Sequence, residues 1–410
     1  MTGEVRLVWD GDEVAVPAGI TVAAAGFLAG RRVLQRSRSL REPRGYFCGI
    51  GRCFGCAMEI DGAGRALACL HRVYEGMRVA TLDGDPSTPT IEASQAAHGQ
   101  GGAAPEVLSV DVLVVGGGAA GRAALAAAAQ AGARVAGVTA GVAGRGGGQA
   151  APDFPDFRRG TVWGDFDRGR EWAVWTGDGV LAIRAPTVVI ATGASEAGLP
   201  IRHGTRPGVM TATAMRLLLE QGVAPGARPF LYGEEPFLGQ AAADCRRHGV
   251  APAAAAVAAS VHVLDVRGGD GVTAVVTSAG EVEADALVFC TPPQPHLELV
   301  QAAGADLYWD EAVGAHVPAF DRSLQTSVAG LFVAGGVAGA HTAEQATLQG
   351  HIAGRAAAVA ATGAPLPAAD WDPVLQAARA FGAEAVEPRA WAARAGRRRI
   401  AADQWLRDGG

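Results

Sequence analysis

Four of the six cysteines in this 410-residue chain lie between positions 48 and 69, and three of them sit in the glycine-rich stretch YFCGIGRCFGCAMEIDG. A disulfide framework would spread its cysteines and belongs to an oxidising compartment, so the crowding marks a local site. Cys48, Cys53 and Cys56 are spaced C-x4-C-x2-C, and Cys69 follows after twelve residues. The first three match the plant-type loop that holds a [2Fe-2S] cluster. Structural zinc, the competing reading, ordinarily takes two C-x2-C-type pairs where this stretch has one. Gly45, Gly49, Gly51 and Gly55 let the backbone fold around a cluster and aim N–H groups at sulfur.

The cysteines belong to a β-rich module expected over residues 1–84. EVRLVW and EVAVP alternate apolar and polar residues around Gly11-Asp12, a helix TVAAAGFLAG follows, and AMEIDGAG with RALACL reads as a hairpin closed by Asp61-Gly62. Residues 85–106 have the Gly, Pro, Ser and Ala content of a linker. At Val107 the texture changes to VLSVDVLVVGGGAAGRAALAAAAQAGARVAGVTA, which reads as strand, glycine turn, helix and strand, the βαβ entry of a dinucleotide-binding domain. Gly116, Gly118 and Gly121 form G-x-G-x-x-G, with Ala119 and Ala120 opening the helix. The first glycine permits the turn, the second lets the backbone approach a pyrophosphate at the helix start, and the third allows helix and strand to touch.

Later stretches repeat this texture. TVVIATGAS puts Thr192 and Gly193 at the end of a buried strand, and GLFVAGGVAG puts Gly335 and Gly336 at another. The reading is an α/β chain with one nucleotide-type domain over 107–227 and 300–363, a second inserted into it over 228–299, and a helical tail over 364–410. Two features weaken the nucleotide sites. The second strand should end in an acid for the ribose hydroxyls, and ARVAGVTA offers Thr139 there. In GEEPFLG, Gly233 and Gly239 remain without a middle glycine, and Glu234 and Glu235 would repel a pyrophosphate. NAD(P) binding is therefore not expected at that turn.

With 35 basic against 41 acidic side chains, a phosphate-tracking nucleic-acid surface is not expected, and the arginines at 394 and 397–399 read as a solvated face. The start shows no secretory pattern and no apolar run spans a bilayer, so the expected location is cytoplasmic. His341, Cys245 and Cys290 read as structural residues, and no spacing identifies a substrate acid or base.

FCGIGRCFGCAMEIDG through GMRV resembles the ferredoxin-like domain of heteromeric amino-acid and opine dehydrogenases and of hydrogen cyanide synthase. GGGQ at 146–149, ATGASEAGLPIRHGTRPGVMTATAMRLLL at 191–219 and the segment 330–358 resemble, in this order, the FAD-dependent alpha subunits of sarcosine oxidase, opine oxidase and dye-linked proline dehydrogenase. The resemblance implies a β-grasp-like [2Fe-2S] module followed by a glutathione-reductase-like flavoprotein fold with a truncated second domain. It implies Cys48, Cys53, Cys56 and Cys69 as cluster ligands, and Gly116, Gly118, Ala119, Ala120, Gly121, Gly148, Gln149, Thr192, Gly193, Gly335 and Gly336 at the nucleotide. Gly336 stands where the family has an Asp gripping the flavin's ribityl chain, so FAD and another adenine nucleotide such as ATP or ADP both stay open. The implied role is electron transfer beside a flavin-containing catalytic partner, with or without a further small subunit. A self-contained FAD/[2Fe-2S] NAD(P)H reductase and a structural subunit braced by its nucleotide are the alternatives.

Overall fold

The computed structural model describes residues 3–83, 106–140, 157–166, 171–176, 179–311, 314–321, 323–340 and 342–363. Gly148, Gln149, His341, nearly all of the linker and the tail from 364 fall outside them. Contacts divide the chain into two units, Met1–Gly102 with Glu196–Pro292, and Ala103–Ser195 with Pro293–Gly410.

In the first unit, Glu4–Trp9 and Asp12–Pro17 form the leading hairpin. Its turn is Asp10-Gly11, one residue earlier than the sequence suggests, because both residues take positive φ (51° and 93°). The expected Asp61-Gly62 turn is present between Ala57–Ile60 and Ala63–Leu67. Arg78–Ala80 lies between the hairpins, parallel to one and antiparallel to the other. The helix Val22–Leu28 starts at Thr21, whose hydroxyl caps the Ala24 N–H, and buries its alanine face on Trp9. Gly26 is needed there, since a Cβ would stand 2.9 Å from the Trp9 ring.

This unit also holds a parallel sheet in the order Val209–Thr211, Ala286–Cys290, Pro229–Gly233, Ala254–Val257, with helices Ala212–Leu219 and Phe237–Arg247, and an antiparallel sheet of Val263–Arg267, Ala274–Thr277 and Gly280–Glu283. The contact boundaries therefore fall at 195/196 and 292/293, where the sequence reading had 227/228 and 299/300. Val209–Thr211 pairs in parallel with Ala286–Cys290, which ties residues 196–227 to the insert. One apolar core runs from Leu7, Trp9 and Met58 into Met215, Leu218 and Val288. Polar ties reinforce it: Tyr46 Oη donates to the Ala214 carbonyl (3.0 Å), the Thr211 N–H to the Phe47 carbonyl (3.0 Å) and Arg32 Nη1 to the Asp285 carbonyl (2.8 Å).

The second unit is built on a five-stranded parallel sheet, ordered Phe157–Arg159, Val135–Thr139, Val112–Val115, Thr187–Ile190, Leu331–Val333. The helices Ala119–Gln130 and Ala343–Thr362 pack closely against each other. Cβ atoms at Gly350 and Gly354 would each stand 2.2 Å from a backbone oxygen of Ala120 or Ala124. His351 is half-buried on the longer helix, and desolvation, then the charge of Arg355, holds its pKa below the usual value. The unfolded chain thus takes up this proton more readily than the folded one. Stability should fall as pH drops through about 6.5 and level off below the folded value. Melting temperature followed from pH 7.5 to 5 checks this, with His351→Gln flattening that part of the curve.

Candidate functional site

The cluster loop lies wholly in the first unit. Gly49 and Gly51 take φ of 69° and 78°, and a Cβ at Gly55 would meet the Gly45 carbonyl at 2.8 Å, so the loop closes tightly only because these positions lack side chains. Cys48, Cys56 and Cys69 are buried, and Cys53 is partly exposed. The Arg52 and Cys53 N–H groups point at the Cys48 sulfur and the Gly55 N–H at the Cys53 sulfur, each at 3.4 Å.

The thiols stand in two pairs. Cys53 hydrogen-bonds Cys48, lowering the pKa of Cys48 and raising that of Cys53, with the N–H donors assisting at Cys48. Cys69 does the same for Cys56, which is also lowered. All six cysteines are free thiols, and among the described residues no three His, Cys, Asp or Glu side chains converge on a single-ion site. The pairing of Cys48 with Cys53 and of Cys56 with Cys69 suits a two-iron cluster with one pair to each iron.

The glycine turn lies wholly in the second unit. After Val112–Val115, Gly116 takes φ of 118°, and a Cβ there would stand 2.1 Å from the Ala191 carbonyl oxygen. Gly118 is the N-cap of Ala119–Gln130, with no capping side chain and no acid in the first turn, which leaves the helix start open to an anion. Ala120 is buried, with its Cβ 2.8 Å from where Gly335 would carry one. A Cβ at Gly121 would come within 1.8 Å of the Gly116 oxygen. These residues fit a pyrophosphate.

The anchors beyond the phosphates differ. Thr139 ends the second strand where an acid would bind the ribose, and it pairs in register with Arg159 on the neighbouring strand. Gly335 donates its N–H to buried Gln349 (2.8 Å). At Gly336 a Cβ would stand 2.8 Å from the Ala194 nitrogen, so the chain has closed over the place where a ribityl-gripping carboxylate would stand. Thr342 and Gln345 cap the start of the last helix reciprocally, and Glu344 adds an acid to its first turn. The residues do not fit a flavin held at both acidic anchors.

Sequence reasoning missed the tie on Thr192 and Gly193. Thr192 Oγ1 donates to the His296 carbonyl (3.1 Å), and the His296 N–H donates to the Gly193 carbonyl (3.0 Å). His296 Nδ1 faces the Thr192 carbonyl (2.9 Å) and therefore carries its proton, and Nε2 accepts from Ser195 (2.9 Å). The Thr192 hydroxyl is thus engaged within the fold.

At the insert's glycine turn, the Gly239 N–H donates to the Glu235 carboxylate (3.1 Å), which occupies the start of Phe237–Arg247. Cys245 and Cys290 are fully buried, and desolvation pushes their thiols up to about 11 and about 12.

A cysteine loop of two-iron type joined to an α/β fold defines a chain with an iron–sulfur module, and comparison with known proteins agrees. The family described as "2Fe-2S iron-sulfur cluster binding domain" matches residues 2–84. The HcnA component of hydrogen cyanide synthase from Pseudomonas aeruginosa is 40% identical over 72 residues, 18% of this chain and 68% of that protein. The opine oxidase A component of Rhizobium meliloti is 29% identical over 233 residues, 45% of this chain and 51% of that protein. The fold resembles L-proline dehydrogenase from P. horikoshii, with a TM-score of 0.70 and 21% identity, covering 91% of this chain and 77% of that one. The chain belongs to the iron–sulfur family that includes HcnA, the A component of opine oxidase and the alpha component of sarcosine oxidase. It spans about half the length of these opine and sarcosine oxidase relatives.

Proposed function

We propose that the chain is the electron-transfer subunit of a heteromeric flavin-dependent amine or amino-acid dehydrogenase or oxidase, whose partner subunit carries the C–N chemistry. The observation that carries this reading is the pair of thiol pairs in a glycine-lined loop. When bound, a [2Fe-2S] cluster supplies one-electron transfer. Around it the chain supplies the Arg52, Cys53 and Gly55 N–H groups, which favour added negative charge on sulfur. The glycine turn of the second unit would hold an adenine nucleotide by its phosphates through Gly116, Gly118 and the helix start. FAD is the nucleotide the family suggests.

Glu235 speaks against a self-contained NAD(P)H reductase, because its carboxylate lies where that cofactor's pyrophosphate would bind. A second reading, a structural subunit braced by ATP or ADP, is favoured by the filled position at Gly336. Heat release and chromatography of the bound nucleotide separate FAD from ATP and ADP. The main test is co-expression with the neighbouring open reading frames, followed by dye reduction with a panel of amines and amino acids. Turnover should require both chains and leave NADPH unused. Anaerobic bleaching of the isolated chain by NADPH would sink the proposal.

A further inference from the structure

Phe54 lies between Cys53 and Gly55 with φ of 56°, a left-handed conformation that is unfavourable for a non-glycine residue. Its ring does not offset this, being 61% exposed. The peptide is held instead through its carbonyl, which accepts a hydrogen bond from Nε2 of Gln35 and a longer one from the Ala57 N–H (3.4 Å). Gln35 is 8% exposed and fixed in turn, paired with Arg44 and bridged to Leu82.

The Phe54 carbonyl and the Gly55 N–H are opposite ends of one planar peptide unit, so fixing one end aims the other. The aimed end is the N–H 3.4 Å from the Cys53 sulfur, on the least buried of the four thiols. We propose that Gln35 is a positioning residue for the cluster: its side-chain amide grips the carbonyl end of the Phe54–Gly55 peptide and thereby directs the N–H end onto Cys53. The proposal rests on the cluster reading of the loop. Hydrogen bonds to cluster sulfurs help set the potential, and one aimed at sulfur favours the more negative, reduced state.

The test is Gln35→Leu and Gln35→Glu in the full chain, since neither side chain donates at neutral pH. Iron per chain, thermal midpoint, the electron paramagnetic resonance spectrum of the dithionite-reduced protein and the midpoint potential are read together. Both variants should move to a more negative potential with an altered spectrum. A purely structural glutamine would lower the thermal midpoint and leave potential and spectrum unchanged, which overturns the proposal. If Gln35→Leu loses iron, the double variant Gln35→Leu/Phe54→Gly decides, because glycine takes the left-handed conformation without a clamp. Recovery of iron supports the clamp, and continued loss overturns it. A parent chain without iron would instead remove the cluster reading itself.

Discussion

Cys69→Ala yields a colourless chain with no bound iron, where the parent is brown, carries two irons per chain and bleaches with dithionite. Cys69 comes from outside the loop and faces Cys56, so its removal leaves the second iron one thiolate instead of two. No described His, Asp or Glu joins the thiols as a substitute. The loss should extend beyond colour. Metal binding free energy is folding free energy when the ligands are brought together only by the fold. The thermal transition of the first unit should therefore fall, because its core is continuous from the cluster module into the insert. Cys290→Ala is the informative contrast. Cys290 is fully buried, and desolvation pushes its thiol up to about 12. Its loss should cost about 1 kcal/mol and leave the iron in place. Iron retained by Cys69→Ala, or a colourless parent with one zinc, would overturn the assignment.

What could be read from the sequence was local. Cys48, Cys53, Cys56 and their glycines lie in one short loop, so their spacing singles them out, and the turn at Asp61-Gly62 follows from adjacent residues, whereas the first turn falls at Asp10-Gly11, one residue before the expected Gly11-Asp12. The sign of the effect at Glu235 was also legible, although its hydrogen bond to Gly239 was not. The unreadable features depend on residues distant in the chain. Nothing near Gly336 announces that Ala194 fills its side-chain space, and nothing near Ser195 announces His296, 101 residues away. Gln35 carries no signal of its own, because an interior glutamine becomes informative only when its partner carbonyl is known. The difference between the expected boundary at 227/228 and the contact boundary at 195/196 has the same cause. Val209–Thr211 is three residues long and runs directly into a helix, so only its pairing with Ala286–Cys290 reveals it as a strand of the insert.

Gly121→Val is expected to strip the second unit of nucleotide and to destabilise it by about 3 kcal/mol. The contact a Cβ would make is with a backbone oxygen, that of Gly116 at 1.8 Å, and no flexible side chain can yield. The helix must move off the strand, which also pulls Ala120 and Ala124 away from Gly350 and Gly354. This result alone shows only that the packing matters. Gly118→Ala separates ligand from packing, because a Cβ there meets nothing within 4 Å and the residue's φ of −73° suits alanine. The fold should survive at a cost of about 1 kcal/mol, since alanine is a poorer N-cap than glycine. The added methyl nevertheless stands at the helix start where a pyrophosphate would approach. Retained nucleotide, measured after heat release, should fall at least about tenfold, which corresponds to about 1.4 kcal/mol. If Gly118→Ala holds nucleotide as the parent does while Gly121→Val unfolds the unit, the turn serves the contact between helix and strand and the phosphate assignment fails.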